Sequence, residues 1–135
     1  MARMSKEVMN VFNDLGSAKV LATAGSTVLE INAVPKGSLR AVSEDVIAFA
    51  DIFGDKTNKN LRLNKKVSAL AFKMSPVAGY QIKGTFLGFQ TSGELFDRFA
   101  KEMKEKMKLD IRAGGTIRVD EVYAAAPPEP GKKIA

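Results

Sequence analysis

The chain has 135 residues, a formal net charge of +6, and neither cysteine nor histidine. That length suits one domain with its own core, and 45% apolar with 27% charged residues is ordinary for a globular protein. The missing residue types exclude disulfides, thiolate nucleophiles, imidazole bases and the usual zinc and haem ligands, so any redox chemistry must come from a bound cofactor. No apolar run is long enough to span a membrane, and Met1-Ala-Arg-Met-Ser-Lys-Glu7 turns polar at once, so the expected location is the cytoplasm.

Ser5 can cap a first helix whose Val8, Val11, Phe12 and Leu15 form one apolar stripe, ended by Gly16. Ala18–Ala24 and Val28–Pro35 are rich in strand formers and flank Gly25-Ser26-Thr27, as in a hairpin. Pro35-Lys36-Gly37-Ser38 breaks the second run. Leu39–Val42 and Val46–Ile52 predict two short strands around a Ser43-Glu44-Asp45 turn. The second is almost continuously apolar, as expected of a strand covered on both faces. Asp51 interrupts it, and a carboxylate there needs a partner.

The stretch Asp51–Asn64 leaves that strand, crosses Gly54 and opens a short helix at Lys56 and Thr57, with Leu61 and Leu63 as anchors and Asn64 as C-cap. A helix start exposes unpaired N–H groups and the positive end of the helix dipole. With Thr57 as N-cap and Lys56 beside it, this is a sequence-local phosphate site, although a capped surface helix has the same signature.

Val67–Lys73 predicts the next strand, and Ser75-Pro76 a loop. Gly79–Phe89 alternates, with Tyr80, Ile82 and Phe86 on one face and Gln81, Lys83 and Thr85 on the other. Gly84 and Gly88 on the apolar face indicate curvature or close backbone approach, as in a small barrel. Ser92 can cap a helix over Gly93–Lys108, lined by Phe96, Phe99, Ala100, Met103 and Met107 as core. Its run Lys101, Lys104, Lys106 and Lys108, alternating with Glu102 and Glu105, reads as a solvated face. After a break over Asp110–Gly115, Thr116–Tyr123 forms the last strand, with a bulge near Glu121 and Val122. Residues 124–135 read as an irregular tail, disordered alone or lying along a partner subunit. The expectation is a single mainly β domain over 1–135, an antiparallel barrel with peripheral helices.

The order Val34-Pro-Lys-Gly-Ser38, Phe49–Leu61 with its Lys-Thr-x-x-Asn-Leu run, Tyr80-Gln-Ile-Lys-Gly84 and Val119-Asp-Glu-Val-Tyr123 resembles the pyridoxamine 5′-phosphate oxidase-like flavoproteins, the FMN-binding split-barrel family, and its small stand-alone members above all. The resemblance covers roughly 18–123. It implies a six-stranded antiparallel split barrel and a homodimer with one FMN per subunit at the interface. Carried over, Lys56 and Thr57 hold the FMN phosphate, and Asn60 points the same way. Lys36, Gly37 and Ser38 lie beside phosphate and ring, with the Val34 backbone near the isoalloxazine. Asp51 and Ile52 line the ring, and Gln81 reaches it across the dimer. The oxidase's C-terminal substrate-binding run, with its Arg and His, is absent, which speaks against vitamin B6 oxidation.

The leading expectation is an FMN protein acting in electron transfer or as a flavin-dependent oxidoreductase. A deazaflavin on the same fold and a basic nucleic-acid-binding barrel are the alternatives. No acid–base pair stands out; Asp51, Tyr80 and Lys83 are candidates by location only.

Overall fold

The computed structural model describes residues 2–25 and 30–135. The proposed Gly25-Ser26-Thr27 turn and the start of the second strand therefore fall partly outside the described residues. Helix α1 (Lys6–Asn13) begins where Ser5 Oγ accepts the Val8 N–H and buries Val8, Val11 and Phe12. It stops at Asn13, so Leu15 leaves the helical period and is exposed, not part of the stripe. The strands follow as β1 (Ala18–Ala24), β2 (Ile31–Pro35), β3 (Arg40–Ala41), β4 (Val46–Asp51), β5 (Lys66–Met74), β6 (Val77–Gln90) and β7 (Ala113–Ala124), with α2 (Lys56–Leu63) after β4 and α3 (Glu94–Met107) after β6.

All strands join one antiparallel sheet in the order β2-β1-β5-β6-β7-β4-β3. Its two edges, β2 and β3, are neighbours in sequence, separated only by Lys36–Leu39. That crossing bonds to the strands just inside both edges, β1 and β4. Lys36 N–H donates to the Lys19 carbonyl on β1, 2.9 Å. On β4, the Ser38 hydroxyl accepts the Ala50 N–H at 2.9 Å and faces the Ala50 carbonyl at 3.4 Å. The chain thus closes the sheet on itself. With β2 and β3 taken as one interrupted strand, the expected six-stranded split barrel is reached.

The barrel interior is filled by the inward residues of alternating strands, among them Leu21, Ile47, Phe49, Ala69, Ile82, Phe86, Ile117 and Val119, joined by Val8 and Phe12 of α1 and Leu61 of α2. Gly115 is required by this packing, since a Cβ there would lie 2.4 Å from the Phe49 ring. Gly84 is required too, because its Cβ would meet the Arg118 carbonyl at 2.6 Å. Gly88 has open space; it sits at φ 143° beside a register shift between Phe86 and Gly88. The other shift falls where Lys83 pairs with Glu121 and Gly84 with Val119, so Asp120 is the extra residue, next to the expected bulge.

A second apolar cluster lies outside the barrel, where Phe99 and Met103 of α3 pack on Ala48 and Ala50 of β4 and on Ile111. Both faces of β4 are therefore covered, as its nearly continuous apolarity predicts. Several local expectations shift. The N-cap of α3 is Gly93, not Ser92, and makes no side-chain cap bond. Met107, at the frayed end, is exposed, as is Leu63 at the end of α2. Strand β7 starts at Ala113, inside the expected break, because β4 pairs with it down to Asp51 opposite Ala113. The tail folds back on its own chain. Ile134 N–H donates to the Val122 carbonyl and Ala124 N–H to the Lys132 carbonyl, both 2.8 Å, and Lys133 pairs with Glu121 at 3.3 Å.

Candidate functional site

Four segments meet around a cleft of about 780 Å³: β2, the Lys36–Leu39 crossing, the β4–α2 turn and one face of α3. The turn is built by Asp51. Its carboxylate is buried, accepts the Gly54 N–H at 3.0 Å and pairs with Arg112 at 3.1 Å, so the expected partner exists. Arg112 also donates to the Gly54 carbonyl at 2.6 Å. Gly54 is required here, since a Cβ would fall 2.5 Å from Asn58 Oδ1 and 2.6 Å from Asp51 Oδ1.

Helix α2 starts two residues earlier than its sequence indicates. Asp55 is the N-cap and makes no side-chain cap bond, so the first-turn N–H groups remain available. Lys56 is the first helical residue and Thr57 the second. Thr57 is therefore not the cap. It is buried, and its hydroxyl accepts from Asn32 Nδ2 at 3.0 Å, tying the helix start to β2. Asn60 does not follow Thr57 towards the cleft; its amide donates to Thr23 Oγ1 on β1, 3.1 Å. That contact anchors the helix.

Of the residues singled out in the sequence, Val34, Lys36, Gly37 and Ser38 line one side of the cleft, and Ile52, Lys56 and Thr57 another. Asp51 stands directly behind them. Gln81 is elsewhere: it donates to Ser68 Oγ at 2.9 Å in a separate groove of about 470 Å³ on the outer face of β1, β5 and β6. The sequence reading missed Asn32, Arg40 and Phe53, and the α3 contribution of Glu102, Met103, Lys106 and Met107. The sequence assigned the last four otherwise, Glu102 and Lys106 to a solvated face and Met103 and Met107 to the core. Glu102 and Lys106 flank the Phe99–Met103 stripe at i,i+4 spacing, on its shoulder and not on the far face.

The cleft is electropositive. Lys36 is half-buried with its ammonium 5.2 Å from the centroid of the Phe49 ring. Burial lowers its pKa below the usual lysine value; the Asp51 charge opposes the shift and the Arg112 charge reinforces it. Neither Lys36 nor Lys56 forms an ion pair among the described residues. Arg40, by contrast, pairs with Glu102 at 2.7 Å, and Lys106 pairs with the same carboxylate at 3.0 Å. The Arg40 hydrogen bond, supported by Lys106, holds the Glu102 carboxyl at about 2 despite the opposing effect of burial.

These groups can do two things chemically. The α2 N-terminus with Lys56 and Lys36 can hold a phosphate. Val34, Ala50 and Ile52 offer apolar surface to a ring. Among the described residues no cluster of three metal-ligating side chains occurs, and no described helix is long and apolar enough to cross a membrane.

No protein-family model matches the chain, and no curated protein matches it in sequence. Solved structures do match. HupZ of Group A Streptococcus superposes with a TM-score of 0.82 at 20% identity, over 98% of this chain and 99% of that one. The fold is that of the FMN-binding split barrels. An FMN-binding protein from Syntrophomonas wolfei gives a TM-score of 0.79 at 17% identity, covering 92% of this chain and 87% of its own. A candidate pyridoxamine 5′-phosphate oxidase from Lactobacillus delbrueckii gives 0.70 at 18% identity, over 90% and 94%. Farther out, at a TM-score of 0.61 and 12% identity, stand an F420 reductase (87% of this chain, 98% of that one) and HutZ, the haem storage protein of Vibrio cholerae (90% and 94%).

Proposed function

We propose that the cleft binds FMN and that the protein works in electron transfer or as a flavin-dependent oxidoreductase. The observation that carries this reading is the convergence of Lys36, Lys56 and the uncapped start of α2 on one cleft with an apolar floor. The donor set suits a phosphate monoester. Two ammonium groups and the first-turn N–H groups of α2 supply charge and hydrogen bonds, and Asn32–Thr57 holds the helix start in place.

Bound FMN would supply the electron-carrying ring, which no side chain of this protein can replace. The protein's own residues bind and orient. Lys56 holds the phosphate, Lys36 places a half-buried positive charge beside the crossing, and Val34 and Ile52 shield the ring from water. The β1–β5–β6 face carrying Gln81 is the surface we assign to a second copy. Its outward Ser68, Leu70 and Gln81 are half-buried already in a single chain.

The visible spectrum of the purified protein, followed by titration with FMN, tests the reading. A yellow protein, or one that takes up FMN, supports it; a colourless protein that binds none overturns it. The fold likeness to an F420 reductase keeps a deazaflavin as a second reading, and mass spectrometry of the released ligand separates the two. A haem spectrum would point instead to the ligand named for HutZ.

A further inference from the structure

The two ends of the cleft treat charge differently. At the α2 end, Asp55 lines the cleft but its carboxylate is taken up by Lys59 at 3.5 Å, a lysine outside the lining, and Lys56 is left without an ion pair among the described residues. At the α3 end every cation is engaged. Arg40 Nε donates to the Ser38 carbonyl at 3.2 Å, its guanidinium lies 4.7 Å from the Phe99 ring centroid, and its other arm meets Glu102 at 2.7 Å. Lys106 donates to the same carboxylate at 3.0 Å. Glu102 is the more sheltered partner, its side chain 19% exposed against 55% for Lys106. A carboxylate shared by two cations occupies their donors and adds to the cleft wall a negative charge that an incoming anion must approach.

We infer that Glu102 sets the polarity of the cleft: by occupying Arg40 and Lys106 it leaves Lys36 and Lys56 as the anion-holding end, so the cleft selects ligands with one anionic end and one uncharged end, seated in a single orientation. The inference rests on the reading of the α2 end as a phosphate site. It adds a specificity-determining residue on α3, at a position the local sequence marks as solvated surface. Glu102 also holds α3 to the crossing through Arg40, so the wall and the charge pattern are set together. Ligands carrying negative charge at both ends are disfavoured, because the second charge would face the Glu102 carboxylate.

Calorimetric titration of the full chain with pyrophosphate tests this without a flavin. Lys56→Ala is expected to weaken binding at least tenfold and Lys106→Ala less than threefold, although both lysines line the same cleft. Glu102→Gln is expected to strengthen binding at least fivefold, and Glu102→Gln/Lys106→Ala to give most of that gain back. Equal losses from the two lysine variants, or no gain in Glu102→Gln, overturn the inference. The lysine pair leaves Glu102 and its contact with Arg40 in place, so the comparison stands even if Glu102→Gln fails to fold. FMN titration of the same unmodified protein separates the two readings. The full pyrophosphate pattern without FMN uptake keeps the cleft polarity and ends the flavin reading. FMN uptake with no gain in Glu102→Gln keeps the flavin and ends the role of Glu102.

Discussion

The cleft and the groove on the outer sheet face hold similar residues in opposite states. The cleft has Lys36 and Lys56 without ion-pair partners among the described residues, beside an open helix start. In the groove, Lys66 approaches Asp120 at 4.0 Å, and Lys83 lies 5.2 Å from the Tyr123 ring centroid. Asp120 in turn pairs with Arg118 at 2.9 Å, and Glu121 with Lys133 at 3.3 Å. A positive net charge does not decide where an anion binds. What decides it is which cations the fold leaves without a carboxylate and places beside backbone donors. The groove is balanced in charge, which suits a second protein surface better than a phosphate.

The largest effect expected from that contrast is on FMN affinity. Each charge-assisted phosphate contact is worth about 1.5–3 kcal/mol, so Lys36→Ala/Lys56→Ala should weaken FMN about a hundredfold or more. Lys83→Ala in the groove should leave the preference for FMN over riboflavin within about threefold. Fluorescence titration reads both; equal effects would erase the distinction between the two regions. Next comes the frame that holds the crossing. Gly115→Ala drives a Cβ into the Phe49 ring and should cost about 1–3 kcal/mol in urea unfolding. Next to the groove, on β5, Leu70→Glu places a charge on the face assigned to the second copy. The assignment predicts, in sedimentation, a dimer for the unmodified chain and a monomer for the variant; an unchanged dimer would move the interface elsewhere.

Smaller effects sharpen the picture inside the cleft. Thr57→Val removes the acceptor for Asn32 and should cost about 1 kcal/mol of stability. Two pH dependences follow from the shifted groups. Glu102 is depressed from 4.5 to about 2, so its stabilisation is present above its unfolded value and is lost as pH falls from about 4.5 through about 2. Glu102→Gln should flatten that acid limb in thermal unfolding. Burial lowers the pKa of Lys36, so its charge disappears below the ordinary lysine range as pH rises. FMN affinity should fall there, and Lys36→Arg should move the fall to higher pH.

Much of the barrel is legible in the sequence, because alternation on strands such as Gly79–Phe89 and the nearly continuous apolarity of Val46–Ile52 report burial directly. Lys36 and Lys56 are legible as well, since a lysine beside a glycine turn and a lysine at a helix start are local signals. What stays hidden depends on contacts between distant residues. Thr57 looks like a cap until Asp55 is seen to open the helix, and its true partner, Asn32, lies on β2. Asn60 shares a helix with Thr57 but faces Thr23 of β1. Glu102 and Lys106 read as surface because helical period places them beside the stripe; only the docking of α3 on β4 turns them into a wall of the cleft. The tail offers composition alone, and its pairing with β7 depends on an edge that β4 leaves open.

The most direct measurement compares FMN with riboflavin on the unmodified chain and on Lys36→Ala/Lys56→Ala. The account predicts that the unmodified protein binds FMN at least tenfold more tightly than riboflavin and that the double variant binds both alike. Equal binding of the two ligands by the unmodified protein, or binding of neither, would contradict it.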